Sequence, residues 1–310
     1  MCRFNVFSAA NAVECVKPLY DFLNILGCSP YHISKEELKI SKKTFIIFIL
    51  FYINYILYMW QFFPRTKSDF DAADVVFFAD YVFYPILLIS FCIYYIITSK
   101  KLFSILKMLV DVDVYFNTIN ILLPNNICKR KIILNVIVNT IFLLVHHTKK
   151  FFIFFEPNFL FYYSTLTDLF MELCRMLLIV RIYGFLKIIY YRFFAINEEI
   201  MKLCGSKKNI ADSRLYERKI YRLRKLHEKL SDVCELLNEI EGYPILMSLA
   251  TMFLITTANI FYTYCDRENV SPLELCNAAL VVFQFTAVGF YLIPGFVELE
   301  KEVKFTISFF

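Results

Sequence analysis

The chain has 310 residues, of which 59% are hydrophobic and 18% aromatic, and its mean hydropathy is +0.56. A soluble globular domain is excluded, because such domains are only about 45 to 50% apolar. The net charge of +5 does not indicate nucleic-acid binding, because the cations flank apolar segments, where they face anionic lipid.

Six apolar segments are each long enough for a helix that crosses the ~30 Å hydrocarbon core of a bilayer. Helices are expected, because backbone exposed to lipid must satisfy its hydrogen bonds internally. The predicted fold class is therefore all-α, a polytopic membrane helix bundle that forms a single transmembrane domain over residues 1–310. The predicted spans are residues 44–63, 75–99, 132–148, 157–180, 243–265 and 275–297.

The distribution of Lys and Arg predicts the orientation. Of the 33 Lys and Arg residues, 27 lie in segments 1–43, 100–131, 181–242 and 298–310. Since cytoplasmic loops are enriched in Lys and Arg, these segments are predicted to be cytoplasmic, and the N-terminus with them.

The second predicted span contains a carboxylate, Asp80, near its outer end, and Tyr84 follows one turn later. The carboxylate could accept hydrogen bonds from a sugar hydroxyl or pair with an amine, and the aromatic ring could stack on a ligand. Both residues are therefore candidate ligand contacts. The alternative is that Asp80 is a residue of the membrane interface without a ligand.

The fourth predicted span carries polar residues with spacings of three, four and three, which place them on one helix face. They are Thr165, Asp168, Glu172 and Arg175. Three charges in a span are costly, so this face must meet protein or a wet cavity, with Glu172 and Arg175 paired. One interpretation makes Thr165, Asp168 and Glu172 the wall of a ligand cavity, and the other makes them a polar contact between helices.

Residues 226–244, LHEKLSDVCELLNEIEGYP, join a charged heptad pattern to the uncharged fifth predicted span. The pattern predicts one long helix that packs on other cytoplasmic helices of the same chain or of a partner, and then enters the membrane near Gly242 and Pro244. A short helical loop on the lipid headgroups is the alternative. The apolar heptad positions are Tyr216, Leu223, Leu226, Leu230, Val233, Leu237 and Ile240.

The sixth predicted span contributes Gln284 as a further candidate ligand contact, although a hydrogen bond between helices is the commoner role of such an amide. Cys265 and Cys276 flank the outer loop before this span, where a disulfide is chemically allowed.

Two segments resemble the insect gustatory receptor family: KPLYDFLNILGCSPY at residues 17–31, and residues 224–264, in which His227 and a Leu-Asn pair precede a span that ends in Tyr. The resemblance implies seven spans, a cytoplasmic N-terminus, and assembly into tetrameric ligand-gated cation channels whose seventh helix lines the pore. This chain ends at ELEKEVKFTISFF after six predicted spans, without the Thr-Tyr signature of the family. We therefore expect this form to be incomplete or non-conducting.

The resemblance predicts a gustatory chemoreceptor in the plasma membrane of chemosensory neurons. It would bind a small-molecule tastant, contact membrane lipid and form a homo- or hetero-tetramer, without nucleic acid or a cofactor. A six-span secondary transporter of a small solute is the alternative, because charges inside spans also mark transport pathways. An enzyme is not expected, since the sequence has no H-E-x-x-H motif and its four histidines are scattered.

Overall fold

A computed structural model describes residues 9–25, 31–34, 37–40, 84–153, 159–205, 213–265 and 272–310, together with positions 46, 49, 50 and 53. The described part is a bundle of long helices, as predicted, with a small antiparallel hairpin that the predicted all-α fold class lacks. The elements are α1 (Ala12–Ile25), β1 (Tyr31–Ser34), β2 (Glu37–Ile40), α2 (Tyr84–Ile97), α3 (Ser99–Thr118), α4 (Asn125–Ile153), α5 (Phe159–Gly205), α6 (Ser213–Cys265) and α7 (Pro272–Phe309).

Helix α1 begins with a capping arrangement and buries one face. The side chain of Asn11 accepts a hydrogen bond from the Glu14 backbone N–H at 3.0 Å, and the Glu14 carboxylate accepts one from the Ala10 N–H at 2.7 Å. These bonds satisfy N–H groups that have no partner within the helix. The hairpin follows, with Tyr31 opposite Ile40 and Ser34 opposite Glu37. The buried face of α1 comprises Ala12, Val13, Cys15, Val16, Leu19, Tyr20 and Leu23.

Helix α6 confirms that the 226–244 stretch belongs to one long helix, whereas its entry into the membrane stays a prediction. It continues through Gly242 and Pro244 without interruption, so the alternative of a short helical loop is wrong. Its apolar heptad positions from Leu223 to Ile240 are buried against helices of the same chain, namely α3, α5 and α7. A repeat of 3.5 residues places these side chains on one seam, which explains the packing.

Helix α5 is the centre of the bundle and contacts α1, α4, α6 and α7. From Arg175 to Ile200 most of its side chains are buried, because other helices surround this part of α5. At Gly184, α4 packs close to α5, and a Cβ at this position would lie in ordinary van der Waals contact with the Ile132 side chain, at 3.5 Å.

The predicted spans at 132–148, 157–180, 243–265 and 275–297 fall within or overlap α4, α5, α6 and α7. In the described residues one helical stretch, Tyr216–Ala258, is long and apolar enough to cross a membrane. Helix α4 also exposes large apolar side chains along its predicted span, which is typical of a surface that faces lipid. Most of the first predicted span lies outside the described residues, and the number and orientation of the spans stay predictions.

Candidate functional site

The predicted polar face of the fourth span lies on α5, so its four residues share one helix. Thr165 and Arg175 are buried, with 4% and 5% of their surfaces exposed, and Glu172 is half-buried. The side chain of Asp168 lies outside the described ones, and so do those of Tyr84 and Gln284, although all three residues are helical. Asp80 itself is outside the described residues, as are the side chains of Cys265 and Cys276.

A small cavity lies where this face of α5 meets α6 and α7. Arg175 and Ser248 supply its polar groups, and Leu292 of α7 closes one side. Neither Thr165 nor Glu172 lines it. Its volume of about 10 Å³ suits one water molecule at most, so the contact around Arg175 is packed and too small for a tastant.

A buried ion pair that the sequence analysis did not predict joins α5 to α6. The Arg181 guanidinium donates two hydrogen bonds to the Glu241 carboxylate, at 2.7 and 2.8 Å, and each side chain is 2% exposed. Tyr95 of α2 donates its hydroxyl to the same carboxylate at 3.1 Å, and its ring centre lies 3.8 Å from the guanidinium carbon. Three helices therefore meet at one charge cluster, directly before the charged half of α6 gives way to its apolar half.

A second buried ion pair joins α5 to α3 and to the beginning of α1. Arg192 donates to both oxygens of Asp113, at 2.8 and 2.7 Å, and also to the Ile188 carbonyl at 2.7 Å. Asp113 accepts a further bond from the backbone N–H of Ala12 at 2.7 Å. The carboxylate thus binds a guanidinium and a helix N-terminus, the two kinds of partner that stabilise a buried negative charge.

Helix α5 is also fixed to α7 by polar contacts. Lys187 pairs with Glu298, and its ammonium lies 5.3 and 5.1 Å from the ring centres of Tyr183 and Tyr190. Further along the two helices, the side-chain amide of Asn197 donates a hydrogen bond to the backbone carbonyl of Glu302 at 2.9 Å.

Thr306 completes this contact between α5 and α7. It is fully buried and donates its hydroxyl to the Asn197 side-chain oxygen at 2.6 Å. Through these pairs α5 is bound to α3, α6 and α7 by hydrogen-bonded polar groups. The signal that could have revealed them is the presence of Arg181, Lys187 and Arg192 in an otherwise apolar helical segment, because buried cations require acidic partners.

His227, a residue of the gustatory receptor motif, lies on α6 between two aromatic rings. The ring centres of Phe193 and Phe310 are 5.5 and 5.8 Å from that of the imidazole. Burial lowers the pKa of His227, although the nearby Glu228 opposes this. This environment is that of a packing residue. Across the described side chains, no three His, Cys, Asp or Glu residues come together as metal ligands.

Comparison with known proteins identifies the family. The family model described as 7tm chemosensory receptor matches residues 16–294, which is most of the chain. A segment of 63 residues, 20% of this chain, is 35% identical to the gustatory receptor for bitter taste 66a of Drosophila melanogaster, of which it spans 12% of the length. The resemblance to insect gustatory receptors is thereby confirmed, and the chain belongs to the 7tm chemosensory receptor family.

Proposed function

We propose that this chain is a subunit of a gustatory receptor that opens a cation pathway when a small tastant binds. The observation that carries the proposal is the family match over residues 16–294. Because the similar Drosophila receptor is named for bitter taste, bitter compounds are the first ligand class to test. We place the receptor as a homo- or hetero-tetramer in the plasma membrane of chemosensory neurons, with the N-terminus in the cytoplasm.

The polar contacts of α5 support a route by which binding could reach the cytoplasmic helices. In our proposal the tastant contacts Thr165, Asp168 and Glu172 in the outer half of α5, and the remaining ligand contacts come from Asp80, Tyr84 and Gln284. A displacement of α5 would act on α6 through the Arg181 pair. Such coupling requires elements that move as units, and buried ion pairs with two hydrogen bonds provide rigid joints.

Lys187 and Asn197 would carry the same displacement to α7, because both donate to groups of that helix. The Arg192 pair would carry it to α3. In this proposal α5 is the transmitting helix, and the bundle around its buried half responds as one body.

The experiment is to express the complete gene product that contains this sequence and to record currents during perfusion with bitter compounds, sugars and amino acids. A channel predicts a ligand-evoked cation current. Uptake of labelled solute without such a current would instead identify the six-span transporter alternative.

Variants Asp168→Ala and Asp80→Ala test the ligand contacts, with Arg224→Gln on the exposed face of α6 as the matched control. We expect both Ala variants to reach the cell surface and to shift the ligand concentration for half-maximal response, whereas the control responds as the wild type does. If both variants respond like the wild type, the ligand site is not where we propose.

A tag at Met1 tests the proposed orientation. We expect antibody labelling only after the cells are permeabilised. Labelling of intact cells would reverse the placement of every loop.

A further inference from the structure

An open groove of about 350 Å³ lies between α1 and α4, away from the polar contacts of α5. Pro18, Leu19 and Phe22 of α1 form one wall, and isoleucine and valine side chains between 132 and 141 form the other. Thr140 also lines the groove, but its hydroxyl already donates to the Val136 carbonyl at 2.7 Å. The lining therefore offers hydrophobic contact and no unsatisfied hydrogen-bond donor, so a matching occupant is apolar.

The position of the groove indicates hydrocarbon as its surroundings. Its α4 wall coincides with the beginning of the third predicted span, the end that we place at the cytoplasmic leaflet. Ile137 and Ile141, which line the groove, are 47% and 55% exposed. Apolar surface of this kind beside a predicted span favours an acyl chain over water.

Two cations lie at the end of the groove where α4 begins. Lys129 precedes Ile133 by four residues and Val136 by seven, so it shares the helix face that lines the groove. Arg130 is exposed beside it. Lys131 is on the opposite side of α4, where its ammonium lies 5.3 Å from the centre of the Tyr191 ring of α5.

Helix α1 contains two acidic residues, Glu14 and Asp21, and both take part in polar interactions. Glu14 accepts a hydrogen bond from the backbone N–H of Ala10 at the capping arrangement of that helix. Lys129 and Arg130 place two cations at the end of an apolar slot, and this arrangement is the complement of an anionic headgroup above its acyl chain.

We propose that this groove binds one acyl chain of an anionic phospholipid of the cytoplasmic leaflet, whose phosphate is held by Lys129 and Arg130. The volume is at the lower end of the roughly 300 to 1,000 Å³ typical of small-molecule sites, which suits a single chain. The bound lipid would fill the space between α1 and α4 and fix α1 against the bundle. This site is independent of the tastant and of the cation pathway.

The test uses the complete gene product in phosphatidylcholine nanodiscs that contain a small fraction of a photoreactive lipid. One probe is phosphatidylserine and the other phosphatidylcholine, each with a diazirine in the acyl chain. After irradiation, peptide mass spectrometry locates the labelled residues. We expect labelling of residues 18–22 and 132–141, roughly 25-fold stronger with phosphatidylserine, because each of the two juxtamembrane cations contributes about a factor of five to anionic-lipid binding.

The double variant Lys129→Gln, Arg130→Gln should reduce phosphatidylserine labelling to the phosphatidylcholine level. The matched control Arg222→Gln, Lys225→Gln removes two exposed cations of α6 and should leave the labelling unchanged. Val136→Phe fills the groove and should weaken labelling by both probes. Monodisperse elution on size exclusion shows that each variant is folded.

Three results would overturn the proposal. They are equal labelling by the two probes in the wild type, a preference for phosphatidylserine that survives loss of both cations, and absence of label from the groove. The last result would mean that another segment, such as residues 44–63, occupies it. The comparison of headgroups on the wild-type protein decides the matter even if the double variant does not fold.

Discussion

Replacing Glu241 by glutamine removes one negative charge from the α5–α6 contact while nearly preserving the shape of the side chain. In the wild type, Arg181 donates to both carboxylate oxygens, at 2.7 and 2.8 Å, and both side chains are 2% exposed. The glutamine oxygen still accepts one hydrogen bond, but the guanidinium charge then has no counterion within this contact. The variant therefore isolates the effect of the charge.

Breaking a buried ion pair by removing one partner costs about 3 to 5 kcal/mol. Because one hydrogen bond is retained, we expect Glu241→Gln to lower the free energy of unfolding by about 3 kcal/mol, the lower end of this range. With an unfolding entropy of roughly 2 cal/mol/K per residue, this loss lowers the Tm of a chain of this length by roughly 5 °C.

The assay is thermal unfolding of a fluorescent fusion in detergent, followed by size-exclusion chromatography. The matched control is Glu228→Gln, since Glu228 lies 3.3 Å from Arg224 on the exposed face of the same helix. An exposed pair contributes about 0.5 kcal/mol or less, so the control should melt within about 1 °C of the wild type.

A double variant separates charge loss from poor packing. Arg181→Met with Glu241→Leu removes both charges, and we expect it to be more stable than Glu241→Gln, because no charge is left unpaired. Equal melting of Glu241→Gln and Glu228→Gln, or a double variant no more stable than the single one, would refute this reasoning.

Three further predictions concern other contacts of α5. Asp113→Asn should cost about 3 kcal/mol, because Arg192 then stays buried with a neutral partner, and trypsin should cleave the N-terminal helix faster than in the wild type. Burial raises the pKa of the Glu199 carboxyl, but hydrogen bonds from Lys202 and Lys219 lower it by more than burial raises it. The pKa therefore lies below its ordinary value of 4.5. The stability that this carboxylate contributes is present above pH 4.5 and is lost as the pH falls through the lower value, and Glu199→Gln should flatten that part of a Tm-against-pH curve. Gly295→Ala should fold normally, since its Cβ would lie 3.6 Å from Leu186, whereas Gly295→Leu should lower the Tm by separating α7 from α5.

The packing of α6 could be predicted from the sequence because the apolar repeat that specifies it lies within the helix itself. A repeat of apolar residues such as Leu223, Leu230 and Leu237 defines a seam without knowledge of the partner helix, and the structure buries these residues. The hairpin could not be predicted in the same way, because strands of four residues are too short to show a clear alternation.

The polar contacts of α5 depend on pairs that are distant in the chain. Arg181 and Glu241 are 60 residues apart, and Arg192 and Asp113 are 79 apart. Periodicity indicates that a cation is buried but does not select its partner. The four polar residues of the fourth predicted span do lie on one helix, yet the cavity beside Arg175 is too small for a ligand, which the spacing of residues along α5 could not reveal.

The three-way contact at Asp113 has a consequence for synthesis of the protein. The Asp113 carboxylate accepts hydrogen bonds from the backbone N–H of Ala12 and from the guanidinium of Arg192. The ribosome synthesises Ala12 before Asp113, and Arg192 long after it. While the ribosome is still producing the intervening chain, the first helix has an anchoring aspartate but lacks the cation that neutralises it. The complete contact among Ala12, Asp113 and Arg192 can therefore form only after residue 192 has been synthesised.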